Sequence, residues 1–291
     1  MTEPVDSAQR VERLWTGGIW GEGPVWIPDT RRLRWSDIPR NLIMEYDSRS
    51  EQAYVHRNGV EYTNGRTLDR EGRVLQCSHG LRRVEYEIDG EATAVVDHWG
   101  EYRLNSPNDI VVASDGSIWF TDPPYGILNA REGHAGEMEY GGCYVFRYDP
   151  ARQELHPVIT DMSRPNGLAF SPDESMLYVS DTVDEERGLI RAYPVDVAAG
   201  SVGAGFDLVT VVPGCSDGFR VDVEGRIWTS SLDAIQVISP AGEVICRIPV
   251  PETSSNLCFG GVDGTDLYIT ASSSLYRIPT LTRQAPRPTA R

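Results

Sequence analysis

Six short segments of this chain repeat one pattern, and that repeat constrains its fold more than any other feature. Each is a turn followed by an apolar strand that ends in small polar residues: Leu33-Arg-Trp-Ser-Asp37, Val74-Leu-Gln-Cys-Ser78, Ile118-Trp-Phe-Thr-Asp122, Leu177-Tyr-Val-Ser-Asp181, Ile227-Trp-Thr-Ser-Ser231 and Leu267-Tyr-Ile-Thr-Ala271. Their starts lie 41, 44, 59, 50 and 40 residues apart. A third strand follows each, as in Ile43-Met-Glu-Tyr46 and Tyr144-Val-Phe-Arg-Tyr148, and a fourth can be read after five of them. Four strands per unit at this period is the signature of a propeller blade. The reading is all-β: a six-bladed β-propeller with four-stranded antiparallel blades, in a single domain over residues 1–291. An all-β sandwich is the rival, but it does not account for the period. The sixth unit lacks a fourth strand after Ile278, and Arg10-Val-Glu-Arg-Leu-Trp15 is the candidate to supply it. Residues 6–14 also fit a brief helix. Residues 1–9 and the polar, Pro-rich stretch 282–291 are expected to fray.

In a propeller the first strand of each blade is innermost, so its start lies at one rim of the central channel. Counting back 10 or 11 residues from each second strand gives Glu22, Asn64, Asn108, Asn166, Asp217 and Asn256. All six carry a side-chain oxygen and none is basic. Asx before Gly, as in Asn64-Gly, Asn166-Gly and Asp217-Gly, also fits ordinary turn chemistry. Six equivalent positions of one chemical kind point instead to a shared oxygen-rich pocket. Two carboxylates with several amides suit a hard divalent cation; without His or Cys among them, Ca²⁺, Mg²⁺ or Mn²⁺ fits better than a structural Zn²⁺, and Ca²⁺ is the first expectation. Antiparallel blades bring the turns after the second strands to the same rim, which places Asp37, His79, Asp122 with Tyr125, and Asp181 near the pocket. His79 and Tyr125 are candidate substrate contacts; the three aspartates read as supporting groups. The connection 126–142 is long for a turn within a blade and is expected to cover the mouth.

Composition narrows the partners. Lys+Arg 27 against Asp+Glu 43 gives a net charge of −16, which disfavours nucleic-acid phosphates and anionic membranes. No apolar run is long enough for a membrane span and no secretory signal is visible. The five cysteines form no CxxC pair, consistent with a reduced, cytoplasmic protein. Phosphate-cradling loops, dinucleotide fingerprints and a GxSxG elbow are all lacking.

Taken together, Glu22-Gly-Pro-Val-Trp26, Leu104-Asn-Ser-Pro-Asn-Asp-Ile110, Trp119-Phe-Thr-Asp-Pro-Pro-Tyr-Gly126, Arg164-Pro-Asn-Gly-Leu168 and Asp217-Gly-Phe219 resemble the regucalcin/gluconolactonase (senescence marker protein-30-like) family, its bacterial gluconolactonase branch especially. The resemblance implies a six-bladed propeller that opens a small lactone, such as an aldonolactone, with Glu22, Asn166 and Asp217 on a catalytic metal ion and Asn108 as a fourth ligand or a substrate contact. Asp217 is then the candidate general base, with a metal-held hydroxide the alternative. Asn64 and Asn256 join the substrate contacts. Some animal members carry a substrate-binding Arg where this chain has Ser106, and Arg103 is the candidate replacement. Organophosphate hydrolysis on the same ion, or a non-catalytic Ca²⁺-binding scaffold, are the alternative readings.

Overall fold

The computed structural model describes residues 3–88, 90–182 and 188–286. Six small antiparallel sheets stand in a ring, the six-bladed propeller that the repeat predicts. Blade 1 runs outward through Gly21–Ile27, Arg32–Asp37, Leu42–Asp47 and Gln52–Asn58; blade 2 through Thr63–Leu68, Val74–Ser78, Arg83–Ile88 and Glu91–Val96. Blade 3 uses Ile110–Val112, Ile118–Asp122, Cys143–Asp149 and Glu154–Met162; blade 4 uses Pro165–Phe170, Met176–Asp181, Gly188–Asp196 and Phe206–Val211. Blade 5 is Phe219–Val221, Ile227–Ser230, Ala234–Ile238 and Val244–Pro249; blade 6 is Ser254–Gly260, Asp266–Ala271 and Ser274–Pro279. Glu12–Thr16 completes blade 6 by pairing with Ser274–Pro279, so the two ends of the chain close the ring together.

Residues 6–14 therefore do not form the brief helix that their composition allowed. Their apolar positions serve a strand whose partner lies at the far end of the sequence, and tertiary pairing overrides local propensity. The two stretches expected to fray are also tied down in part. Pro4 is buried and accepts the Leu281 N–H, Val5 packs on the blade 5–6 core, and Asp222 bridges Gln284. Residues 287–291 lie outside the described residues.

Apolar side chains from facing blades fill the seams, as the alternating strand pattern requires. Trp119, Leu168 and Val179 pack between blades 3 and 4, and Trp228, Phe259 and Ile269 between blades 5 and 6. Among the described residues such clusters occupy five seams. The seam between blades 1 and 2 is different. There Glu45 accepts from Arg32 (2.8 Å), Arg34 (2.6 Å) and the Tyr54 hydroxyl (2.5 Å), while Glu87 meets Arg34 at 3.1 Å and His56 at 2.9 Å.

Candidate active site

The six inner strands contact each other in cyclic order, and glycine makes that approach close enough. A Cβ on Gly23 would lie 2.0 Å from the Asn64 carbonyl oxygen, on Gly65 2.4 Å from that of Asn108, and on Gly167 2.3 Å from that of Asp217. Backbone hydrogen bonds run through these contacts, from Gly65 N–H to Asn108 O (2.8 Å) and from Gly167 N–H to Asp217 O (3.1 Å). The glycines after Glu22, Asn64 and Asn166 thus sit where strands of neighbouring blades touch, and Gly218 after Asp217 makes room for the Asn256 side chain, while Asn108 and Asn256 have no glycine after them. These close contacts tie the rim backbones they join and help fix where the side chains converge.

Five of the six rim residues, Glu22, Asn64, Asn108, Asn166 and Asp217, line one cavity of about 480 Å³ at the mouth of the channel. Asn108 and Asp217 sit two residues ahead of their strands; the others lie within them. Asn256, the sixth, stands behind: its side-chain NH₂ donates to Glu22 Oε2 (3.2 Å) and its Oδ1 accepts the Leu257 N–H (2.8 Å). It orients Glu22 and does not reach the cavity wall. Tyr125 does line the cavity, from the one-turn helix Tyr125–Leu128, and its buried hydroxyl has no hydrogen-bond partner.

His79 lies one layer out. It is 1% exposed, and its Nε2 meets the Asn64 amide at 3.3 Å while Nδ1 meets the Glu132 carbonyl at 3.1 Å. The carbonyl can only accept, so Nδ1 carries the proton and Nε2 receives the amide hydrogen. Burial lowers the His79 pKa to about 4, which keeps this ring neutral. Arg103 is exposed on the hairpin of His98–Trp99 and Tyr102–Arg103, where its guanidinium donates to Leu81 O (3.3 Å). It is not part of the cavity wall.

The aspartates that end the second strands brace the loops feeding the rim. Asp37 accepts the N–H groups of Ile19 and Trp20, Asp122 those of Asn105 (2.7 Å) and Ser106 (2.8 Å), and Asp181 those of Ser163 (3.0 Å) and Arg164 (2.7 Å). Tyr140 adds its hydroxyl to Asp122.

The connection 126–142 does reach the mouth. It is pinned by Arg82, which donates to Leu104 O (2.6 Å) and Glu137 O (3.1 Å), and by His134, whose Nε2 lies 2.8 Å from Glu61. Through it Glu132 enters the cavity wall, a residue the sequence reading missed. Trp20, Ile38, Thr182, Cys215, Leu232 and Thr253 were missed as well and, with Gly214, Ser231 and Ser254, complete the wall; Ile38, Thr182 and Leu232 each stand one residue past a repeated second-strand segment, a signal that could have found them.

Electrostatically the mouth is unbalanced. Glu22 and Asp217 are in hydrogen-bonding contact, and burial raises both pKa values. The Asp217 charge adds to the rise at Glu22, which the Asn256 and Gly23 N–H groups do not cancel. Asp217 is pushed up to about 7, with Asp109 and Glu132 adding to the burial. No Lys, Arg or His is among the described residues lining the cavity. Two touching carboxylates without a basic partner, ringed by amide oxygens, form a donor set suited to a hard divalent cation. Because half of that set is amide, the described residues hold no cluster of three or more His, Cys, Asp or Glu side chains.

Residues 20–273 match the family described as SMP-30/Gluconolactonase/LRE-like region. A gluconolactonase of Zymomonas mobilis is 31% identical, covering 96% of this chain and 83% of its own. A pentonolactonase of Haloferax volcanii is 30% identical over 87% of this chain and 81% of its own. The solved structure of a gluconolactonase from Xanthomonas campestris superimposes with a TM-score of 0.88 at 33% identity, covering 96% of this chain and 95% of that one.

Proposed function

The chain belongs to the SMP-30/gluconolactonase family, and from that premise we propose that it hydrolyses a sugar lactone, an aldonolactone such as gluconolactone, at the propeller mouth with the help of one divalent cation. The observation that carries the reading is the Glu22–Asp217 pair, buried without a basic partner among amides at the head of a cavity of about 480 Å³. That volume suits one small ring compound.

Glu22, Asn166 and Asp217, with Asn108 as a fourth ligand or a substrate contact, would hold the ion, Ca²⁺ first. When bound, it supplies Lewis-acid polarisation of the ester carbonyl. Asp217 takes a proton from the water that attacks the carbonyl carbon and gives it up again once the ring opens. The ring C–O bond then breaks, and the proton goes to the released alkoxide, giving an acid and an alcohol. Asn64, held by His79, offers its amide to the substrate, and the unpartnered Tyr125 hydroxyl offers a further hydrogen bond. The apolar wall of Trp20, Ile38 and Leu232 excludes bulk water on one side.

The test is a pH-stat assay on aldonolactones and on a fluorophosphate, with and without chelator. Lactone hydrolysis that chelation abolishes and Ca²⁺ restores is expected. Chelator-sensitive activity on the fluorophosphate alone would move the reading to phosphotriester chemistry. No activity on either, with no divalent ion bound at stoichiometric level, would leave a scaffold.

A further inference from the structure

Glu132 is the one residue of the connection 126–142 in the cavity wall, and its place there is built. Its carbonyl oxygen takes the His79 Nδ1–H (3.1 Å), while Asn129 donates to its Oε1 at 2.6 Å. The next residue, Gly133, passes so close to Gly126 that a Cβ would lie 2.1 Å from the Gly126 carbonyl oxygen. The segment is therefore seated against the one-turn helix, with the half-buried carboxyl turned to the mouth. Among the described residues its Oε2 has no hydrogen-bond partner. The neighbouring Arg131 and Arg164 side chains are exposed and do not line the cavity.

The charges can be balanced group by group. A divalent cation neutralises Glu22 and Asp217. Glu132 then remains as the carboxylate in the wall that the ion does not neutralise, offset only by the exposed Arg131 beside it, on a chain of net charge −16. A substrate hydroxyl can donate to its open oxygen, whereas a phosphate, sulfonate or carboxylate on the substrate would meet a like charge with no cation in the cavity wall to receive it.

Resting on the lactonase reading above, we infer that Glu132 is a specificity-determining residue that selects neutral polyhydroxylated lactones and rejects lactones carrying an anionic group. Its carboxyl accepts a hydrogen bond from a hydroxyl remote from the ester, and the same carboxyl repels an anion placed there.

The experiment compares kcat/KM for glucono-δ-lactone with that for 6-phosphoglucono-δ-lactone, in the Ca²⁺-loaded wild type and in Glu132→Gln, at low and high salt. The wild type should prefer the neutral lactone by about a hundredfold or more, and the preference should narrow as salt screens the repulsion. Glu132→Gln keeps the size and an accepting oxygen but removes the charge, so it should narrow the preference by about tenfold, through faster turnover of the phosphorylated lactone. Equal wild-type rates on the two lactones would overturn the inference while leaving the lactonase reading intact. So would a preference that neither salt nor Glu132→Gln changes, since exclusion by shape is blind to both. If Glu132→Gln does not fold, the salt series on the wild type decides alone. No hydrolysis of any neutral aldonolactone would remove both readings.

Discussion

Two of the groups of buried carboxylates in this propeller are treated in opposite ways. In the seam between blades 1 and 2, burial pushes Glu45 and Glu87 upward, but Tyr54, Arg34 and His56 outweigh it and hold both pKa values below the ordinary range. At the mouth, burial pushes Glu22 and Asp217 upward and nothing basic answers. The seam closes its charges within the protein and behaves as structure. The mouth leaves its charges for something that is not part of the chain. Burial does not separate the two; the partner does.

The sharpest way to break this contrast is at Asp217. Asp217→Asn keeps an oxygen ligand and removes a charge and a base, so lactone hydrolysis should fall by at least about a hundredfold, with the fold intact by circular dichroism and some metal still bound. Wild-type turnover by the folded, metal-loaded variant would put the base elsewhere.

The reverse should hold in the seam. Arg34→Met takes a cation from Glu45 and Glu87 but leaves Arg32 and His56 to share the charge. Urea denaturation should show a loss of about 2 kcal/mol, with kcat/KM on the preferred lactone unchanged. A drop in kcat/KM without loss of stability would mean that the two regions are coupled.

The pH dependence should have opposite signs in the two places. Glu45 and Glu87 have lowered pKa values, so their stabilisation is present above the unfolded carboxylate range and is lost as pH falls through their folded values. Glu22 and Asp217 have raised values, so in chelator-treated protein their contribution is lost as pH rises through their folded values, about 7 for Asp217. A divalent ion displaces the shared proton. Its affinity should therefore rise by about tenfold per pH unit below 7 and level off above it, as read by calorimetry at pH 5, 6, 7 and 8. A flat profile would mean that the pair does not hold the ion.

The smallest effect is expected at Asn256, which touches Glu22 and not the cavity. Asn256→Ala should weaken the metal by about tenfold, and excess Ca²⁺ should restore kcat. If kcat stays low at saturating metal, Asn256 acts on the substrate directly.

The rim was legible because the propeller repeats: one residue per blade, at a fixed offset from a recognisable strand, and five of the six face the same cavity. What the glycines beside them do was not legible: Asx-Gly fits ordinary turn chemistry as well, and the constraint at Gly23, Gly65 and Gly167 is a neighbouring blade, which local sequence does not contain. Glu132 was illegible for a related reason. Within an aperiodic connection, the residue that faces inward is set by contacts with His79 and Gly126, both remote in sequence or conformation. Arg103 misled in the other direction: it is close to Asn108 along the chain, but the hairpin it belongs to carries it to the surface.

The clasp that closes blade 6 also bears on how the ring assembles. Arg277 donates to Glu12 from 265 positions further along the chain, so the strand Glu12–Thr16 must wait for a partner made much later. Joining such distant segments costs only logarithmically more than joining near ones. The burden is kinetic: contacts this non-local form slowly, and Ser274–Pro279 presents an open edge until Glu12–Thr16 docks. Blades 1 to 5 can each pair all four of their strands from contiguous sequence. Blade 6 cannot, which makes it the late step of folding and the place where a partly folded chain would expose a strand to another molecule.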